Sequence, residues 1–279
     1  MEKTKAAAIV KRIVTSLILA PVVLWAVYCG SPVINLLALT GGALLAWEWA
    51  AMVPNGKASV YGIIYTVSVA TAVLTSSAAV IATVILAATL LVWLKAGEEK
   101  HRRLLTLGVP YISLGIGSLV WLFNLVGAYT TIWFVLVIWS VDIGGYLVGS
   151  NVKGPKLAPK ISPNKTWSGL LGGMVFAAAV SVGYSHWLGS QQAYLAFALF
   201  GMIIAVVEQM GDLIESSIKR HLGLKDSSNL IPGHGGIFDR IDGMIFAAPL
   251  VALVLRYGFL LFSGCGFQVQ PSAVEQCVA

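Results

Sequence analysis

The sequence predicts an all-α, polytopic membrane protein of about nine transmembrane helices with a cytoplasmic amino terminus, and three observations carry that reading. Of its 279 residues, 58% are hydrophobic and only 11% charged, far from the quarter or so typical of soluble domains. Apolar windows of bilayer length, roughly twenty residues each, recur from one end to the other. Basic residues gather in the short polar segments between windows, and fall on one side if every window crosses.

No polar stretch exceeds about twenty residues, too little for an independent core. The chain therefore reads as one integral-membrane unit, 1–279, with amino-terminal helices in 1–128 and a second group of helices and loops in 129–262. In a soluble protein the formal net charge of +6 would suggest nucleic acid. Here the charges sit in short loops and set orientation, so membrane lipids are expected as partners and nucleic acid is not.

The windows run over 13–30, 32–53, 58–76, 77–95, 105–124, 129–149, 167–188, 192–213 and 241–262. Lys3, Lys5, Lys11 and Arg12 precede an apolar run, as in a signal peptide. That run, from Ile13 to Cys29, is long and no small-x-small cleavage site ends it, so a retained span is expected; Tyr28 before Cys29 is poor for lipoprotein processing. Within 58–94 only Ser76-Ser77 marks a turn, and one long tilted helix competes with a hairpin. Charge decides for the hairpin: with nine crossings all 18 lysines and arginines except Arg256 become cytoplasmic, whereas one helix would put Lys57 and the Lys95–Arg103 cluster on opposite sides. Cys265 and Cys277 then fall in the outer tail, where a disulfide and two unpaired thiols are both open and the unpaired reading is favoured. No cysteine pair has metal-ligand spacing.

Ionisable residues inside spans are expensive and commonly functional. Glu48, near the end of the second window in WEWAAM, can serve a site or simply reach the interface; Arg256 is expected to snorkel or pair. Asp142, in WSVDIGGYLVG, lies about 10 Å below the surface at 1.5 Å per residue, and Gly144 and Gly145 allow another backbone or a ligand to come close. Glu208, Asp212, Glu215 and Lys219 are spaced by four, three and four residues, which confines them to an arc of about 60° on one helix face. Asp239 follows at the start of the last window, on a helix end returning to the same membrane face. Carboxylates on two such helix ends suit a hard divalent cation with phosphate oxygens completing its shell, so magnesium is expected at Asp212 and Asp239.

Two loops add phosphate chemistry. Gly233, Gly235 and Gly236 surround His234 and expose backbone N–H groups able to cradle phosphate oxygens. Lys219, Arg220, Lys225 and Arg240 flank them, with Asp239 and Asp242; His234 can donate to phosphate or act as a general acid, and a purely structural role is equally open. In GSNVKGPKLAPKISPNKTWSGLLGG, Lys153, Lys156, Lys160 and Lys165 interleave with Pro155, Pro159 and Pro163. Proline blocks helix propagation, so these lysines are expected on a stiff, strand-like loop suited to polyphosphate or anionic lipid.

The segment Ser216–Asp242, SSIKRHLGLKDSSNLIPGHGGIFDRID, resembles the signature of the phosphatidate cytidylyltransferases, also called CDP-diacylglycerol synthases. KLAPKISPNKTWSG and DIGGY are similar to the family as well, so the resemblance is close over 139–246 and general before it. Many members have Glu at the position of Ser168 and Arg near Ser150, and no role is carried onto either residue. The resemblance implies the reaction of CTP with phosphatidate to give CDP-diacylglycerol and pyrophosphate in phospholipid biosynthesis. Magnesium would sit at Asp212 and Asp239, with a cytoplasm-facing site, a bacterial inner membrane and a homodimer. Asp212, Lys219, Arg220, His234, Asp239 and Arg240 are expected in catalysis; Asp142, Lys153, Lys156, Lys160, Lys165, Lys225, Gly233, Gly235 and Gly236 are expected to bind substrate. A CTP-dependent lipid kinase shares the setting, but the long signature argues against it. An ion-coupled transporter using the intramembrane acids would show inverted repeats or paired broken helices, and neither is visible.

Overall fold

The computed structural model describes the backbone of residues 2–231 and 235–257, and among these the side chains of Thr15 and of Leu17 onward. Its helices are α1 (Glu2–Cys29), α2 (Val33–Met52), α3 (Ala58–Leu74), α4 (Ala78–Ala96), α5 (Arg102–Val152), α6 (Trp167–Trp187), α7 (Tyr194–His221) and α8 (Phe238–Tyr257). A two-stranded antiparallel hairpin, β1 (Lys156–Ala158) with β2 (Ser162–Thr166), joins α5 to α6. Helix α5 is too long for one bilayer crossing and is broken at Gly127, whose φ of 76° and ψ of −177° are open only to glycine. The break separates two segments that match the windows at 105–124 and 129–149.

The stretch 58–94 is a hairpin, as the charge argument required. Thr75 is extended, Ser77 caps α4 by accepting a hydrogen bond from Val80 N at 3.4 Å, and Lys57 Nζ donates to the Lys95 carbonyl at 3.2 Å. The two basic ends therefore lie side by side. Among the described residues, five helices are long and apolar enough to cross a membrane: Val33–Met52, Ala78–Ala96, Arg102–Val152, Trp167–Trp187, and Gln191–His221 with its leading 3-10 turn; Ala58–Leu74 is apolar but shorter. Leu86, Leu90 and Leu94 on α4, and Leu195, Leu199 and Ile203 on α7, are exposed at helical spacing. Contiguous apolar faces of this kind belong against lipid, and the protein is integral to a membrane.

The chain divides into two compact units rather than two consecutive halves. The first takes in the chain up to Val120 together with Ile218–Ile241; the second takes in Trp121–Ser217 and the chain from Asp242. In the first, Tyr65 is buried and donates to the Leu105 carbonyl at 2.6 Å, while Ser113 donates to Ser68 at 2.9 Å, stitching α3 to the first part of α5. In the second, glycines let helices touch through their backbones. A Cβ at Gly144 of α5 would lie 2.8 Å from the Gly172 carbonyl oxygen of α6, and one at Gly211 of α7 would lie 3.1 Å from the Asp242 carbonyl oxygen of α8. Gly144 is thus a point of close backbone approach, the use expected of it from the sequence.

Candidate active site

The second unit collects acids. Asp212 and Glu215 of α7 and Asp242 of α8 each offer a carboxylate oxygen, and the three oxygens lie within 4.8 Å of one another. The cause is the glycine contact: a Cβ at Gly243 would come within 2.7 Å of Glu208 Cγ, and one at Gly211 within 2.7 Å of Phe246 Cβ. Alanine at either position would hold the helices apart and separate the carboxylates. Glu208 and Glu215 are buried, so the ionic stripe read from α7 faces inward. Asp142 acts electrostatically on both Glu208 and Asp242.

A lysine is set against this group. Lys165 Nζ donates to Asp212 Oδ2, while Ser216 Oγ donates to Asp212 Oδ1 at 3.4 Å. Lys165 reaches Asp212 because β2 ends there: Thr166 caps α6, accepting from Gly169 N at 3.1 Å, and β1–β2 pairing registers Lys156 against Thr166. Ser168 Oγ donates to the Lys153 carbonyl and Trp167 N to the Pro155 carbonyl at 3.0 Å, which fastens the hairpin to the start of α6. Lys153, Lys156 and Lys160 are exposed. Of the four interleaved lysines, Lys165 is the one the structure brings to the acids.

The first unit holds a different arrangement. Lys219 Nζ donates to Asp239 Oδ1 at 2.6 Å, and both side chains are largely buried. Asp239 Oδ2 accepts from Ser227 Oγ at 2.8 Å, Ser227 N at 3.0 Å and Gly236 N at 2.8 Å. Glu48 of α2, also buried, accepts from Ile237 N at 2.8 Å, and its Oε1 lies against Ser227 Oγ, whose single proton it shares with Asp239. Gly235 has φ of 85°, and a Cβ there would lie 2.6 Å from Asp239 Oδ2, so only glycine fits the turn. Arg220 Nη1 donates to the Leu224 carbonyl at 3.1 Å; Arg220, Lys225 and Arg240 are exposed. Gly233 and His234 lie outside the described residues.

Asp212 gathers Glu215 and Asp242, and Asp239 is held by Lys219, Ser227 and Gly236. Helical spacing put Glu215 beside Asp212, but the partnership with Asp242 needs the Gly211–Gly243 contact, which no local pattern reveals. Three hard oxygen donors at this separation suit Mg2+, whose octahedral ligand oxygens stand about 3–4 Å apart.

Apolar helices that close on a group of carboxylates with a lysine set against it define a membrane protein with a polar site among its helices. The chain belongs to the cytidylyltransferase family, whose sequence profile matches residues 10–258. It is 31% identical over 247 residues to the phosphatidate cytidylyltransferase of Brucella suis biovar 1 (strain 1330), covering 87% of this chain and 91% of the relative. The phosphatidate cytidylyltransferase of Bacillus subtilis (strain 168) is 38% identical over 153 residues, 54% of this chain and 57% of its own. That of Staphylococcus haemolyticus (strain JCSC1435) is 38% identical over 129 residues, 46% of this chain and 50% of its own.

Proposed function

We infer that this protein is a phosphatidate cytidylyltransferase, joining the cytidylyl group of CTP to phosphatidate to form CDP-diacylglycerol and pyrophosphate. The carrying observation is the match to the Brucella relative over 91% of its length, which includes the Ser216–Asp242 signature. Phosphatidate brings its own nucleophile: a phosphate oxygen attacks the α-phosphorus of CTP, the bond to the bridging oxygen breaks, and pyrophosphate departs. Protein groups then have to position the reactants and neutralise charge. Lys219, Arg220, Lys225 and Arg240 flank the glycine-rich segment in sequence and would stabilise the polyphosphate, with Lys153, Lys156 and Lys160 drawing anionic substrate to the surface.

Magnesium fits this reading. Asp212 is named both by the resemblance and by the geometry, with Glu215 and Asp242 beside it; Asp239, which the resemblance names as well, is already held by Lys219, Ser227 and Gly236. Bound there, the ion would supply Lewis-acid charge neutralisation at nucleotide oxygens. Lys165, now paired with Asp212, would be released toward substrate phosphate. With phosphatidate and Mg2+, label in the α-phosphate of CTP should enter lipid while γ-label leaves as pyrophosphate. Entry of γ-label into lipid would identify a kinase instead and overturn the assignment.

The reading includes nine spans: seven unbroken helices and the two halves of α5. The amino terminus and the site face the cytoplasm of a bacterial inner membrane, and on the resemblance the enzyme works as a homodimer. In a cysteine-free background, single cysteines at Lys100, Asn164 and Ser228 should react only from the cytoplasmic side. Labelling of position 100 from outside would break the nine-span topology.

A further inference from the structure

Glu48 is a buried carboxylate that belongs neither to the signature nor to the acidic cluster. It belongs to α2, far from the signature in sequence, yet both of its oxygens are spent on the signature. Oε2 accepts from Ile237 N at 2.8 Å and the Phe238 amide also bonds to the carboxylate; Oε1 accepts from Ser227 Oγ. Ile237 and Phe238 open α8, whose first amides have no partner within the helix. A carboxylate at that position satisfies them and meets the positive end of the helix dipole.

The neighbouring residue grips the same turn from its apolar side. Phe238 is fully buried, edge-on to Trp49 at 5.2 Å and to Tyr111 at 5.9 Å between centroids, and Trp49 Nε1 donates to the Leu104 carbonyl at 3.2 Å. A Cβ at Gly236 would collide with the Glu48 carboxylate and Ser227 Oγ. The start of α8 is therefore clamped at Ser227, Gly236 and Ile237. These residues adjoin Asp239, and Ser227 Oγ lies on both Glu48 and Asp239.

We propose that Glu48 is a positioning residue for cytidylyl transfer, fixing the start of α8 so that Asp239 and, through it, Lys219 are held ready. It acts through Ser227 and the Ile237 and Phe238 amides and touches no reacting atom. This rests on the cytidylyltransferase reading above. Glu48→Gln keeps the size of the side chain but turns one acceptor into a donor facing Ser227 Oγ or a backbone N–H. It should lower kcat about 10- to 100-fold, the loss expected when catalytic groups shift by an ångström, with KM for phosphatidate changed less than twofold. Glu48→Asp, which keeps the charge, should recover part of kcat. Ser227→Ala combined with Glu48→Gln should lose little more than the worse single change, because both break one network.

Hydrogen exchange over residues 227–240 gives a readout independent of turnover: the Ile237 and Phe238 amides should exchange at least tenfold faster in Glu48→Gln while α3 and α4 keep wild-type protection. Wild-type kcat or unchanged exchange in Glu48→Gln, or losses that multiply in the double variant, overturns the proposal. Exchange that rises across α3 and α4 as well also overturns it, because Glu48 then serves the whole fold. Failure of the wild-type protein to transfer α-label would instead sink the functional reading and leave the exchange result standing.

Discussion

Among the described residues two lysine–aspartate pairs are surrounded in opposite ways. Asp239 takes Lys219 on one oxygen and the donors of Ser227 and Gly236 on the other, so its charge meets fixed, pre-aimed N–H and O–H groups. Asp212 takes Lys165 and a long bond from Ser216 Oγ, and beside it stand carboxylates, Glu215 and Asp242 within ligand distance and Glu208 nearby. The first environment satisfies an anion and fixes a loop. The second leaves negative charge in excess, which a divalent cation relieves far better than one ammonium.

The sharpest way to break this comparison is to neutralise each aspartate and read the magnesium dependence. Asp212→Asn should cost on the order of 10³-fold in turnover, as for loss of a preorganised electrostatic group, and should raise the magnesium concentration needed for half-maximal rate. Asp239→Asn should also cost turnover heavily, because Lys219 and three donors lose their acceptor, but its magnesium requirement should stay near wild type. A shifted requirement in Asp239→Asn would make it a metal ligand, as the resemblance implies, and would erase the distinction drawn between the two pairs. Near-normal turnover in Asp212→Asn would remove the cation site altogether.

How much of this was legible beforehand follows from the range of the interactions. Helical spacing put Glu208, Asp212 and Glu215 on one face, and charge parity separated α3 from α4, because both signals are local. The stiff basic loop was read from its prolines, and the structure makes it a β-hairpin. The convergence of Asp242 on Asp212 was not legible, since it depends on Gly211 and Gly243 meeting across two helices. Nor were the bonds from Glu48 to Ser227 and Ile237, which link the second helix to the signature. Long-range polar contacts leave no periodicity, and a buried Glu in WEWAAM reads like any interfacial carboxylate.

A smaller effect is expected at Lys165. In this structure its ammonium pairs with the Asp212 carboxylate, with which a bound cation would compete, so Lys165→Gln should lower the magnesium concentration for half-maximal rate. The same change should lower kcat about 10- to 100-fold by removing a cation from substrate phosphate. A magnesium titration at saturating CTP separates the two. If half-saturation rises instead, Lys165 organises the acids and does not compete with the ion.

The smallest effect belongs to the exposed lysines. Lys153, Lys156 and Lys160 lie in the same connection between α5 and α6 as Lys165 but face solvent, so their charges act through a screened, high-dielectric medium, where single contributions are a fraction of a kcal/mol to about 1 kcal/mol. Changing all three to glutamine should raise KM for CTP a few-fold, leave kcat within about twofold, and flatten the dependence of KM on salt, because long-range attraction of a polyanion weakens with ionic strength. Kinetics at two salt concentrations on the correctly inserted triple variant provide the check. A loss in kcat comparable to that of Lys165→Gln would mean that the whole hairpin engages substrate directly. Unaltered KM at low salt would reduce these three lysines to orienting the chain in the membrane, leaving Lys165 as the hairpin's only contribution to the site.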